Sequence, residues 1–235
     1  MKNLNPKPFL YILLPFSGIV WFAYATANGF NLREFKDFMR PIPTVVSADG
    51  FLVFFFIKWA WKWKRFQGWL VPFPDLNGTW QGTIQTSWKD ASGGTPGPIP
   101  VILTIKQTLV HLSCVMRTAE MESHSYVEGF HIDGERQLRR LCYSYTSRPK
   151  TSLRDRSAPH DGTILFSIIG KAVRKLEGEY WTQRQTTGTV IVVFKTKELL
   201  DTLPADFPNH PMTPETVNQG GDDHLASHAK SKEVP

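Results

Sequence analysis

The sequence predicts an all-β domain, an up-and-down antiparallel barrel of about eight strands, preceded by two transmembrane α-helices. Three observations lead to this prediction. Two membrane-length apolar stretches fill the beginning of the 235-residue chain. Short runs rich in β-branched and aromatic residues then follow one another, and almost no helical periodicity accompanies them. A sandwich of two sheets is the alternative fold.

The first apolar stretch, residues 9–30, contains no charged residue, and about 20 helical residues suffice to cross a hydrocarbon core. The second stretch, residues 44–63, contains Asp49 near its start and Lys58 near its end. Lys58 can extend its ammonium group to the lipid headgroups. We expect Asp49 either at the interface or facing a neighbouring chain inside the bilayer.

Basic residues predict the orientation of this hairpin, which we assign to residues 1–73. Six basic residues lie toward the terminal ends of the two apolar stretches, and three lie in the connection between the stretches. The positive-inside rule therefore places both termini and the β-domain in the cytoplasm. A cleaved signal peptide is the alternative, because Ala25-Thr26-Ala27 has the small-residue form of a cleavage site. An uncleaved hairpin explains more, since a second apolar segment follows the first at once.

The charge is unevenly distributed along the chain. Basic against acidic residues number 9 against 3 in residues 1–74, 16 against 13 in residues 75–203 and 2 against 5 in residues 204–235. The basicity therefore belongs mostly to the membrane flanks and gives little support for binding a DNA or RNA polymer. Residues 204–235 are rich in Pro and Gly and poor in apolar side chains, which predicts a disordered tail.

The β-domain is assigned to residues 74–203. Closing its sheet into a barrel removes the exposed edge strands. The opening strand places Trp80, Gly82 and Trp88 on one face, so that Trp80 fills one end of the barrel and Gly82 lets a neighbouring strand approach closely. The expected strands cover residues 78–88, 99–107, 109–118, 123–132, 136–147, 162–170, 174–183 and 188–197.

Known catalytic and metal-binding patterns are missing from the sequence. Cys114 and Cys142 have no metal spacing and form no disulfide framework, so we expect buried free thiols. The glycine-rich residues 91–98 lead into a strand and not into a helix N-terminus, which excludes a Walker-type phosphate loop. The histidines never approach a metal spacing, and no nucleophile elbow is present. We therefore expect no catalytic residue, no metal and no cofactor, and a protein that is not an enzyme.

Two N-terminal transmembrane helices, then PDLNGTWQG (residues 74–82) opening a β-barrel, then LEGEYWTQRQTTGTV (residues 176–190), resemble one known family. This family comprises the two-transmembrane β-barrel effectors of CBASS, the bacterial cyclic-oligonucleotide-based anti-phage signalling system. The resemblance covers roughly residues 9–200. It implies a minimal lipocalin-like barrel that binds a cyclic dinucleotide made by a partner nucleotidyltransferase. It also implies that the bound ligand promotes a homo-oligomer whose transmembrane segments disrupt the inner membrane lipid and kill the infected cell.

A cyclic dinucleotide needs aromatic faces for its two bases and cationic or hydroxyl groups for its two phosphates. Strand alternation places Leu141, Tyr143 and Tyr145 on one face and Arg140 on the other, and a register slip of one residue would reverse this assignment. The candidate ligand-binding residues are Trp88, Arg117, Arg140, Tyr143, Tyr145, Tyr180, Thr182 and Arg184.

The alternative function is a membrane-tethered barrel that holds a lipid or other apolar ligand, or docks a partner protein, with the hairpin as a passive anchor. The interior of the barrel distinguishes the two functions. Arginines that face aromatic residues favour the nucleotide receptor, whereas an interior of aliphatic side chains without charge favours the apolar ligand.

Overall fold

The structure, a computed structural model, describes residues 6–31, 33–90, 92–154, 157–170 and 173–212. The N-terminal part contains α1 (Pro6–Ala27), the short α2 (Phe35–Met39) and α3 (Ile42–Lys58). Eight strands follow: β1 (Gly78–Thr86), β2 (Ile99–Gln107), β3 (Leu112–Arg117), β4 (Met121–Asp133), β5 (Leu138–Pro149), β6 (His160–Ile169), β7 (Lys175–Thr182) and β8 (Thr187–Thr196).

The eight strands form a closed barrel. Each pairs antiparallel with the next, and β8 pairs with β1. This arrangement confirms the predicted eight-stranded up-and-down barrel and excludes the two-sheet sandwich. Every predicted strand overlaps an observed one, with the largest difference at β3, which begins at Leu112 because residues 108–111 form a turn closed by Thr108 and His111.

The opening strand packs as its sequence pattern predicts. Trp80 is fully buried, its indole Nε1 donates a hydrogen bond to Leu76 O at 3.0 Å, and its ring meets that of Phe194 edge to face. A Cβ atom on Gly82 would overlap the carbonyl oxygen of Ile191 and lie 2.7 Å from Val192 Cα. Gly82 is therefore required where β1 and β8 close the barrel.

The segment that links α3 to β1 fills one end of the barrel, which we call the closed end. Trp61 and Phe73 are buried in the same core cluster as the barrel interior, and the Phe73 ring stacks on Phe130 with 4.9 Å between centroids. The buried Gln107 side chain accepts a hydrogen bond from Leu76 N–H and donates one to Pro74 O. Residues upstream of position 74, the expected domain boundary, thus belong to the barrel core.

The N-terminal helices fit membrane association. Pro6–Ala27 and Phe35–Lys58 are long and apolar enough to cross a bilayer by length and composition, and little of either is buried within the chain. α1 and α3 meet through Ser17, whose hydroxyl lies 2.8 Å from both Asp49 Oδ2 and Leu13 O. Asp49 Oδ1 is buried and finds no hydrogen-bond partner among the described residues.

Both cysteines are free thiols, with Cys114 buried inside the barrel and Cys142 half-buried on a strand. Burial raises the pKa of both thiols above the ordinary value. After β8 the chain continues along the outside of the barrel as far as Met212. Residues 213–235, most of the segment expected to be disordered, lie outside the described residues.

Candidate ligand-binding site

A cavity of about 160 Å³ lies at the end of the barrel opposite the closed end. We call this the open end. Small-molecule sites commonly measure about 300–1,000 Å³, so this smaller cavity can enclose part of a nucleotide while the rest of the ligand lies in the mouth. Its lining residues are Ile84, Thr86, Trp88, Pro96, Ile99, Met116, Thr118, Glu120, Met121, Ser123, Tyr145, Ser147, Ser157, His160, Ile164, Tyr180, Thr182, Arg184, Thr186, Val190 and His210.

The floor of the cavity is made of packed core. Leu103, Leu141, Phe166 and Leu176 are completely buried within the barrel, and Trp80 lies among them. An eight-stranded barrel has room for either side chains or one small ligand at a given level. The lower interior holds side chains, so the part of the barrel that the structure describes leaves space for a ligand at the open end.

Two tyrosines project into the cavity, and each is placed by a glycine on a neighbouring strand. A Cβ atom on Gly162 would lie 2.6 Å from Tyr145 Cζ, and one on Gly188 would lie 2.8 Å from Tyr180 Cζ. The absence of a side chain at both glycines lets the rings lie close to the sheet. Burial raises the pKa of both tyrosine hydroxyls, so both remain protonated and able to donate hydrogen bonds at neutral pH.

A cationic group lies at the mouth, in the turn between β7 and β8. Arg184 Nη1 donates hydrogen bonds to Ser157 Oγ at 3.0 Å and Ala158 O at 3.2 Å, and lies 3.4 Å from His160 Nδ1. Burial, with a further contribution from Arg184, lowers the pKa of His160 despite the opposing effects of Ala158 O and Asp161. His160 is therefore neutral at neutral pH, and Arg184 provides the positive charge on this side of the mouth.

Hydroxyl groups line the wall between the aromatic rings and the mouth. Thr182 and Thr186 share a hydrogen bond of 2.6 Å between their hydroxyl oxygens. Ser123 and Ser147 stand opposite each other in the β4–β5 register, and both are nearly buried. Such groups donate and accept, which suits the ribose hydroxyls and phosphate oxygens of a nucleotide.

The structure brings five of the eight predicted site residues together in the cavity: Trp88, Tyr145, Tyr180, Thr182 and Arg184. Tyr143 points inward as expected but lies in the core, with its hydroxyl buried and without a hydrogen-bond partner among the described residues. Burial raises its pKa strongly.

The two strand arginines of the predicted site lie elsewhere. Arg117 alternates with Met116, which lines the cavity, and binds Glu122 Oε2 at 2.7 Å and Leu200 O at 3.3 Å. Arg140 alternates with the inward-facing Leu141 and so faces outward, as the strand alternation predicts. Neither arginine is among the lining residues.

Several lining residues were not in the predicted site. Thr86 shares a face with Trp88, and Ser147 continues the alternation of Tyr143 and Tyr145, so period-two spacing could have identified both. His160 was considered only as a metal ligand. Among the described residues, no three side chains of the His, Cys, Asp and Glu types are placed to hold a metal ion. His210 lies in the segment expected to be disordered, where no sequence signal indicated it.

Comparison with known proteins agrees with this architecture. Residues 71–193, from the end of the linker to β8, match the family model described as "Cap15, cyclic dinucleotide receptor domain". The chain is 28% identical over 147 residues to "CD-NTase-associated protein 15" of Staphylococcus schleiferi, an alignment that covers 63% of this chain and 75% of that protein. The matched region contains the whole barrel except the end of β8, together with most of the cavity. The chain therefore belongs to the Cap15 cyclic dinucleotide receptor family of CBASS proteins.

Proposed function

We propose that this chain is a membrane-anchored effector of bacterial anti-phage signalling, in which the cavity at the open end binds a cyclic dinucleotide. The observation that carries the proposal is the combination of Tyr145, Tyr180 and Arg184 around one cavity, in a chain of the cyclic dinucleotide receptor family. The messenger comes from a partner nucleotidyltransferase. The barrel acts as a receptor and not as an enzyme.

The aromatic side chains bind the bases. Tyr145 and Tyr180 project from alternate strands on the same side of the cavity, and Trp88 lies at the mouth in the β1–β2 loop. Stacking of a base on an aromatic side chain contributes about 1–3 kcal/mol and tolerates different bases. The hydroxyl groups of Thr182 and its neighbours then bind the ribose and phosphate oxygens.

Arg184 binds a phosphate. Its hydrogen bonds within the described residues all use Nη1, which anchors the guanidinium to the loop before β6. Nη2 and Nε remain for two parallel hydrogen bonds to a phosphate, the arrangement for which arginine is suited. Because Arg184 is held in place before the ligand arrives, little side-chain entropy is lost on binding.

Ligand binding promotes assembly of several copies, and the assembled hairpins disrupt the bacterial inner membrane and kill the infected cell. One hairpin has too few polar side chains to line a water channel alone. A ligand can drive assembly only if it binds the assembled state more tightly than the single chain. The excess of flanking basic residues, six against three in the connection, supports an orientation with both termini and the barrel in the cytoplasm.

The alternative of a lipid or other apolar ligand accounts for fewer of the observations. Ile84, Met116 and Ile164 give the cavity apolar walls, but a site for an apolar ligand has no use for a charge at its mouth. Arg184 and Glu120 both line the cavity. The guanidinium of Arg184 favours the nucleotide because it can bind a phosphate, whereas the carboxylate of Glu120 gives no such support.

A thermal-shift experiment on the full-length protein in detergent tests the proposal. The ligands are cyclic di-AMP, cyclic di-GMP, cyclic GMP–AMP and cyclic di-UMP, and the controls are linear di-AMP and ATP. A ligand that binds the folded state alone stabilises it by about 2.7 kcal/mol at a hundredfold excess over Kd. We expect at least one cyclic dinucleotide to raise Tm. If a fatty acid or phospholipid raises Tm and no cyclic dinucleotide does, the apolar-ligand alternative is correct.

A further inference from the structure

The segment after β8, residues 198–212, runs along the outside of the barrel from the closed end to the open end. It lies beyond residues 71–193, the part of the chain that matches the receptor family. Its course brings His210 into the lining of the cavity. The site is thus made partly by a segment that is not part of the barrel.

The lower half of this segment, residues 198–202, is anchored to the barrel wall by two threonines. Thr79 on β1 donates a hydrogen bond to Glu198 O at 2.6 Å and accepts one from Leu200 N–H at 3.0 Å. Thr104 on β2 donates to Leu200 O at 2.8 Å. Both threonines are on the outer face of the barrel but are buried, because the segment covers them.

The upper half, residues 203–212, is held by side-chain contacts. Leu203, Pro204 and Phe207 share a recess with Ala119 and Lys150. His210 Nδ1 lies 3.6 Å from Glu120 Oε1, and both side chains are about one-tenth exposed. Pro211 lies beside Gly97, in the loop between β1 and β2.

The position of His210 across the mouth from Arg184 indicates what the segment does. Glu120 is in the β3–β4 turn and Arg184 is in the β7–β8 turn, and these turns are four strands apart in a ring of eight. They therefore stand on opposite sides of the mouth. A ligand whose phosphate binds Arg184 extends toward His210 and Glu120.

We propose that residues 198–212 form a strap that completes the ligand site, with the lower half fixed and residues 203–212 closing over the bound ligand so that His210 contacts it. This inference rests on the proposed function of the cavity as a cyclic dinucleotide site. The anchored lower half keeps the upper half close to the mouth in every state. The upper half can leave the rim and return when side-chain contacts break and form again.

An engineered disulfide tests whether the strap is a lid. A Cβ atom at position 97 would lie 4.0 Å from Pro211 Cβ, within the range of about 3.5–4.5 Å found in disulfides. The full-length variant with Gly97→Cys, Pro211→Cys and Cys142→Ser can therefore be locked with the strap on the rim. Cys114 is buried and can remain. The matched control carries Pro211→Cys and Cys142→Ser, and the probe is the cyclic dinucleotide of the four above that raises Tm most.

We expect that oxidation of the ligand-bound double-cysteine variant slows ligand dissociation by about tenfold or more, because the closed strap blocks the exit. Reduction should restore the original rate, and the control should be unaffected by either treatment. Equal dissociation rates for the oxidised and reduced double-cysteine protein would overturn the strap as a lid.

Substitution of His210 tests the contact itself. His210→Ala should weaken binding of the same probe by about fivefold, the value of one net hydrogen bond. His111→Ala, which removes an exposed histidine at the closed end, should leave affinity unchanged. An unchanged affinity for His210→Ala would overturn the contact. If no protein, wild type included, binds any of the four cyclic dinucleotides, the proposed function fails and the strap inference fails with it.

Discussion

Arg184 is the single side chain on which anion binding most depends. Its guanidinium lies at the mouth of the cavity, bound to Ser157 and Ala158 by one of its terminal nitrogens. Hydrogen bonds to a charged group contribute about 1.5–3 kcal/mol. Arg184→Ala should therefore weaken cyclic dinucleotide binding by about 10- to 150-fold, as measured by isothermal titration calorimetry.

The matched control for this substitution is Arg136→Ala. Arg136 lies in the turn between β4 and β5 at the closed end, where it pairs with Asp133 and is largely exposed. Exposed ion pairs contribute about 1 kcal/mol or less to stability, so this variant should fold and bind normally. Equal losses of affinity in both variants would mean that net charge, and not the position of Arg184, drives binding.

Tyr143 differs from Arg184 because its polar group is buried without a hydrogen-bond partner among the described residues. Its hydroxyl is within the core, below the cavity floor. An unsatisfied buried hydroxyl costs about 1–3 kcal/mol. Tyr143→Phe removes this cost without changing the ring, so we expect the free energy of unfolding in urea to rise by about 1 kcal/mol and the ligand affinity to stay unchanged. A large loss of affinity would place Tyr143 in the site after all.

His160 should make the stability of the ligand-free protein depend on pH. Its pKa is lowered in the folded state by burial and by Arg184, while Ala158 O and Asp161 act in the opposite direction. The unfolded chain therefore takes up a proton near pH 6.5, before the folded chain does. The stability that neutral His160 contributes is complete above that pH and is lost as the pH falls through the folded-state pKa.

We expect Tm to fall between about pH 7 and pH 5 in the wild type, and to fall less in His160→Gln, which cannot take up the proton. Carboxylates elsewhere in the chain titrate equally in both proteins, so the difference between the two curves isolates His160. Parallel curves would contradict the prediction.

At the scale of strands, alternation and turn residues predicted the barrel well because both are local signals. Each hairpin joins neighbours in sequence, so pairing order follows from strand order. Alternation also predicted which face Tyr145 and Arg140 occupy. It could not predict depth along the barrel axis, which is why Tyr143 fell in the core while Tyr145, two residues further along β5, lines the cavity.

The strap and the linker escaped prediction for a different physical reason. Their positions depend on packing against distant parts of the chain, and neither has a strand or helix pattern. Residues 204–212 have the composition of a disordered tail, yet Phe207 and His210 pack against the rim. Trp61 lies within the second predicted membrane stretch, residues 44–63, and it is instead buried in the core cluster of the barrel.

The β1–β8 pairing, which closes the barrel and which we call the seam, tolerates little change in its geometry. Gly82→Ala would drive a methyl group into the backbone of β8. Backbone cannot move aside as a flexible side chain does, so we expect a loss of about 3 kcal/mol or more in chemical denaturation, or failure to fold. Gly129→Ala on β4 is the control, since a Cβ there meets nothing within 4 Å. If both substitutions cost the same, close approach at the seam is not the reason for Gly82.

At the scale of the whole molecule, the barrel and the hairpin are joined by a packed linker. Phe56, Ile57 and Phe66 pack against the same core cluster that contains Trp61 and Phe73. The closed end of the barrel therefore continues directly into the end of α3. A change in how barrels associate would therefore reach the hairpins through packed side chains, because the linker is not a flexible connection.

This connection predicts ligand-dependent and cooperative damage to membranes. In liposomes loaded with a dye, the full-length protein should cause leakage only when the cyclic dinucleotide is present, and leakage should rise more steeply than in proportion to protein per lipid, because several copies must assemble. Deletion of residues 1–55 removes most of the hairpin but keeps Phe56, Ile57 and the buried Trp61 and Phe73. That variant should bind ligand with unchanged affinity and cause no leakage.

Asp49→Asn tests the hairpin itself. An intramembrane carboxylate is tolerable when it meets a partner in an assembly, so its replacement should reduce leakage without affecting binding. Leakage that is proportional to protein and indifferent to the ligand would show that assembly is not the switch.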